Sequence, residues 1–127
     1  MDKKENSIKD KHALYAEKNF YQCIDDYISV SSRVNLIINN RSSNEDLRNK
    51  ITVRQAIARH RLKTAFARLD RTHERTGVIW YNIELDKKRF IFALSKLPLN
   101  YICEFINIVP LISIEEVIDI ELDALGI

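Results

Sequence analysis

The sequence predicts a mainly α, α+β fold: a long antiparallel helical hairpin, then a β-hairpin, then two C-terminal helices. Three observations predict it. The 127 residues hold only two glycines and two prolines, and none precedes Gly77, so long helices can run unbroken through the first half. Apolar residues recur there at steps of three and four, the spacing of a helical face. After Gly77 the period shifts toward two, with β-branched and aromatic residues on either side of a charged turn.

Residues 1–9 are polar and are expected to be flexible, leaving residues 10–127 as one domain, long enough for one core and not for two. The first helix is expected from Lys11 to Asn39. Phe20, Ile24, Tyr27, Ser31, Val34 and Ile38 step by four and three as a seam, with a break expected near Ser29 to Ser32. Phe20, Tyr21 and Tyr27 at this spacing read as core rather than as a base-stacking platform. The short polar stretch Asn39 to Ser43 then implies that the next helix packs back antiparallel.

That central helix is expected from Ser42 to Gly77. Ser42 and Glu45 have the spacing of a capping box, Glu45 and Asp46 suit the positive end of the helix dipole, and Arg71, His73 and Arg75 suit the other end. Leu47, Ile51, Ala58, Leu62, Ala65, Phe66 and Leu69 share one arc and are the expected buried face. Lys50, Arg54, Arg61, Arg68, Arg71 and Arg75 share a neighbouring arc. Four of these arginines recur every seven residues, and the stripe spans roughly 37 Å at ~1.5 Å per residue, about one turn of duplex.

Val78 to Leu85 and Arg89 to Leu94 are the expected strands, joined by Asp86, Lys87 and Lys88, so Lys87, Lys88 and Arg89 would form a basic tip. Trp80 reads as a packed anchor. Pro98 and Pro110 bound a segment, Leu99 to Val109, that is apolar on every side apart from Glu104. Such a segment is either a buried helix or a homodimer surface formed by Leu99, Ile102, Phe105, Ile106 and Val109. Ser113 and Glu116 form a second capping box. They open a helix ending before Gly126, with an apolar face of Ile114, Val117, Ile118, Leu122 and Leu125 and an acidic face of Glu115, Glu116, Asp119, Glu121 and Asp123.

Charge is polarised along the chain. Residues 41–75 carry ten basic and four acidic groups, a net +6, whereas residues 96–127 carry one and six, a net −5, within an overall +2. The stripe therefore fits three situations: a solvated face, a face neutralised by the chain's own acids, or a surface for an anionic partner. Forty-six per cent apolar residues, no apolar run near the ~20 residues of a membrane span and no leader pattern lead to an expected cytoplasmic protein without membrane contact. Cys23 and Cys103 lack the close spacing of a zinc or redox pair and are expected to be free, reduced and buried.

No Gly-rich phosphate loop, metal-ligand spacing or nucleophile elbow is present, and no cofactor or metal is expected. Arg54 with His60, and Arg68 with His73, resemble the Arg and His pattern of helical HEPN-type ribonucleases. In that family's chemistry arginine would stabilise phosphate charge and histidine would move protons. An arginine-rich helix also gives such spacings by chance. Thr52-Val53-Arg54-Gln55-Ala56-Ile57 is similar to the start of the recognition helix in GntR-type winged-helix repressors. That resemblance implies Thr52, Arg54 and Gln55 facing phosphates and base edges, and Lys87 to Arg89 acting as a wing. The sequence as a whole leads to a non-enzymatic regulatory protein that binds nucleic acid through Lys50, Arg54, Arg61, Arg68, Arg71 and Arg75 with Lys87, Lys88 and Arg89, as a homodimer. The alternative is an adaptor, antitoxin-like or chaperone-like module whose stripe meets an acidic protein.

Overall fold

In a computed structural model of the chain the backbone is described for residues 3–40, 44–76 and 83–126, and the side chains for residues 11–40, 44–72 and 87–126. Helices α1 (Lys3–Asn39), α2 (Glu45–Thr76), α3 (Ile83–Leu94), α4 (Leu99–Ile108) and α5 (Ile114–Leu125) follow in order, with no strand among the described residues. α1 is continuous through Ser29 to Ser32, where a break was expected. The hydroxyls there do not interrupt the helix because Ser31 turns into the helix pair and finds a partner on α2.

α1 and α2 form the expected antiparallel hairpin. Its seam comprises Ala13, Ala16, Phe20, Ile24, Tyr27, Ser31 and Val34 on one helix and Ile51, Gln55, Ala58, Leu62, Ala65 and Leu69 on the other, all buried. Steps of three and four on both helices keep these residues facing each other from Ala13 to Val34 on α1 and from Ile51 to Leu69 on α2, as in a coiled coil. Truncating a seam side chain such as Leu62 to alanine would cost about 2 to 5 kcal/mol. Ile38 and Leu47, placed on the buried arcs by their spacing, are exposed because they lie at the open end of the hairpin beyond the reach of the other helices. Ser42 and Ser43 lie outside the described residues, and Asn44 caps α2: its side-chain oxygen accepts from the Leu47 amide at 2.7 Å.

The β-hairpin does not form. Asp86, Lys87, Lys88 and the segment Arg89 to Leu94 are helical within α3, as are Ile83 to Leu85, while residues 77–82, including Trp80, lie outside the described residues. Burial explains the outcome. Phe90 and Leu94 are 5% and 0% exposed and Ile91 is 3% exposed, yet Phe92 is 49% exposed, which matches a helical period and contradicts alternation. A five-residue apolar run does not distinguish the two periods, and Asp86-Lys87-Lys88 lacks the Gly or Asn that a tight β-turn needs.

α3, α4 and α5 cover one flank of the hairpin. The Tyr21 and Phe90 rings lie 5.6 Å apart and those of Tyr27 and Phe105 6.0 Å apart, and Phe66 packs against Phe20 at 5.8 Å. Arg59 of α2 pairs with Glu104 of α4, and Arg89 of α3 lies 3.9 Å from Asp25 of α1. Of the two readings of Leu99 to Val109, the buried helix is the one realised: Ile102, Phe105 and Val109 are buried within the chain, Ile106 is half-buried and Leu99 is exposed. The second capping box is present, with the Ser113 hydroxyl accepting from the Glu116 amide at 3.2 Å. Gly126 closes α5 at φ 76°, in the left-handed region.

Candidate functional site

Among the described residues, none covers the flank of the hairpin opposite α3, α4 and α5. Residues one position before the α2 seam, Arg54, Arg61 and Arg68, project there at intervals of seven, each about 10 Å beyond the last along the helix. On α1 the same flank presents Cys23 and Val30, with Asp26 and Arg33 outside them. Together these side chains enclose a cleft of about 440 Å³ between the two helices, lined by Cys23, Asp26, Val30, Arg33, Arg54, Ile57, Ala58 and Arg61 among others. Val30 and Ala58 are its apolar part nearest the seam, with Asp26 and Arg33 on the α1 rim and Arg54, Arg61 and, outside them, Ile57 on the α2 rim.

Arg33, Arg54, Arg61, Arg68 and Arg71 are exposed, and among the described residues none of them forms an ion pair. The acidic helix α5 does not lie over them. It packs on α3 instead, where Glu116 pairs with Lys87 at 2.8 Å. That lysine, with the capping Ser113, holds the Glu116 carboxyl below the ordinary glutamate value, against a smaller upward push from burial. Burial raises the Cys23 thiol, Asp26 raises it further, and Arg61 partly counters both, so the thiol at the cleft wall stays protonated near neutral pH. Cys103 is half-buried, and neither cysteine is in a disulfide.

The residues expected to bind an anion thus divide into three groups. Arg54 and Arg61 come together with Arg33 around the cleft, and Arg68 and Arg71 extend the same helix away from it. Lys50 is exposed but paired with Asp46 at 3.2 Å, one turn away on α2. Lys87, Lys88 and Arg89 form no hairpin tip. They sit on α3 over the other flank, with Lys87 engaged by Glu116 and Arg89 near Asp25. The side chain of Arg75 lies outside the described residues. Arg33 and Asp26 were not singled out by the sequence reading. Their signal was present, since Asn19, Asp26 and Arg33 also recur every seven residues along α1.

The winged-helix resemblance fails at particular residues. Gln55 points into the buried seam, 6% exposed, and cannot read a base edge, while the Thr52 hydroxyl donates to the Arg48 carbonyl of its own helix at 2.8 Å. α2 also runs straight through the hexapeptide, where a winged helix has a turn. Arg54 and His60 are ~120° apart around α2, so a phosphate held by the arginine would not face the imidazole. The His73 side chain lies outside the described residues. Among the described residues no group of three His, Cys, Asp or Glu is placed to hold a metal ion, and no helix is long and apolar enough to cross a membrane. Comparisons with protein-family models, curated proteins and solved structures find no match to the chain.

Proposed function

We propose that this is a non-enzymatic regulatory protein that binds nucleic acid through the arginine face of α2, supplemented by Arg33 of α1. The observation that carries the proposal is the open stripe. Arg54, Arg61, Arg68 and Arg71 form no ion pair among the described residues, although the chain carries a strongly acidic helix that could have supplied one. Guanidinium groups held along one helix face can each bind phosphate oxygens in pairs. Among the described residues no aromatic side chain lines the cleft, so recognition rests on phosphate contacts and carries little sequence preference.

Anisotropy titrations with a labelled single strand and a labelled duplex, at about 50 mM and about 150 mM salt, test the reading. Binding that weakens with salt is expected for at least one of them. No binding to either at the lower salt removes it.

A second reading, an adaptor whose stripe meets an acidic protein, is favoured by the apolar lining of the cleft. Val30 and Ala58 lie within it and Ile57, 46% exposed, stands at its α2 edge, and a phosphate backbone has nothing apolar to place against them.

A further inference from the structure

α5 carries a second, unused surface. Val117 is buried and Glu116 is held by Lys87, but Ile118, Leu122 and Leu125 are exposed, Leu125 to 68%. Steps of four and three place these three on one stripe along the helix. At ~100° per residue, Glu115, Asp119 and Asp123 run along one side of the stripe and Glu121 along the other. All four acids are exposed, and among the described residues none of them forms an ion pair.

This is the complement of the cleft. The cleft has an apolar part between two arginines on the α2 rim and Arg33 beside Asp26 on the α1 rim, three positive charges against one negative for a net +2, and α5 has an apolar stripe between one acid and three. The lengths agree as well: Glu115 to Asp123 spans about 12 Å, and Arg54 to Arg61 about 10 Å. α5 cannot reach the cleft of its own chain, because it is packed on α3 over the opposite flank.

We propose that the cleft receives α5 of a second copy of this chain. Ile118, Leu122 and Leu125 lie on Val30 and Ala58, the Glu115, Asp119 and Asp123 side faces Arg54 and Arg61, and Glu121 faces Arg33. The contact joins two different patches, so two copies close it only by reciprocal insertion, and otherwise it propagates head to tail. The inference rests on the second reading above, with the acidic partner named, and it does not require nucleic-acid binding. Where both occur they compete for Arg54 and Arg61.

The test is sedimentation or light scattering of the full chain without nucleic acid, from about 5 µM to about 0.5 mM protein at low salt. Two variants accompany the wild type: Arg54→Glu with Arg61→Glu, and Asp119→Arg with Asp123→Arg. Every altered position is exposed, and circular dichroism checks that the helices remain. Association of the wild type is expected, weakened at least about tenfold in each variant and by added salt, and restored when the two variants are mixed, since the mixture brings an intact cleft to an intact α5. A monomeric wild type throughout that range overturns the proposal, including one that binds nucleic acid normally. So does association that neither variant weakens, or a mixture that stays apart.

Discussion

The Gln55 side-chain amide donates to the Ser31 hydroxyl at 3.3 Å inside the seam between α1 and α2, and these are the only buried polar residues among those described. The layer acts on register. Sliding α1 against α2 by seven residues would keep apolar residues opposite apolar ones along most of the seam, but it would separate Gln55 from Ser31 and leave a buried amide without a partner. Because Arg33 faces Arg54 only in the present register, the pair also keeps the cleft assembled.

Changing Ser31 to Ala alone should therefore destabilise by about 1 to 3 kcal/mol, since the Gln55 amide stays buried and loses its partner. Ser31→Ala with Gln55→Leu should recover most of that loss. Urea unfolding of both variants and the wild type measures the difference, and a double variant as unstable as the single one would show that the pair has no such role.

Tyr27 sits one turn before Ser31 and is fully buried, with a hydroxyl that has no partner of good hydrogen-bond geometry. Burial raises its phenol above the ordinary value, and the neighbouring Ser31 hydroxyl offsets only part of that rise. Tyr27→Phe keeps the ring that packs on Phe105 and removes the poorly satisfied group. It should leave stability unchanged or raise it by up to about 1 kcal/mol. A loss of more than about 1 kcal/mol in thermal or urea unfolding would mean that the hydroxyl is bonded in solution.

The long helices were legible because their apolar positions repeat at steps of three and four over more than twenty residues, a signal that short segments cannot imitate. The arginine stripe was legible for the same reason. α3 was not, because Arg89 to Leu94 is too short to separate a helical period from an alternating one, and its fate is decided by Tyr21 and Asp25, far earlier in the chain on α1. Nor could the stripe alone reveal the cleft. Its α1 wall contributes through residues whose relevance depends on which of them face α2, and that register is set by the Ser31 and Gln55 layer. Gln55 itself was read as an outward residue because a glutamine on a polar-rich helix carries no sign of burial.

Glu116 makes the contact of α5 with α3 sensitive to acid. Its carboxyl is held below the ordinary glutamate value in the folded chain, first by its hydrogen bond from Lys87. A group lowered in this way stabilises the fold at neutral pH, and that contribution disappears as the pH falls from the ordinary glutamate range through the folded-state value. The pair is partly exposed, so screening limits it to roughly 0.5 kcal/mol. Glu116→Gln should accordingly cost little at pH 4 and more at pH 7 in urea unfolding. An equal loss at both pH values would assign the effect to the Ser113 cap rather than to the lysine.

The salt dependence of nucleic-acid binding separates the two basic regions. If Arg33, Arg54, Arg61 and Arg68 each neutralise one phosphate, the slope of log K against log salt should be about −3.6, since each contact contributes ~0.9. Arg61→Ala with Arg68→Ala should flatten that slope by nearly two units at constant fold, because both side chains are exposed and lie outside the seam. Lys88→Ala with Arg89→Ala removes two charges from the other flank, on α3, and should change the slope by less than about half a unit. The measurement is made at protein concentrations low enough that the chain does not associate with itself. A slope that responds equally to both pairs would mean that phosphate is attracted by net charge alone. A slope that responds only to Lys88 and Arg89 would place the binding surface on α3 and remove the arginine face of α2 from it.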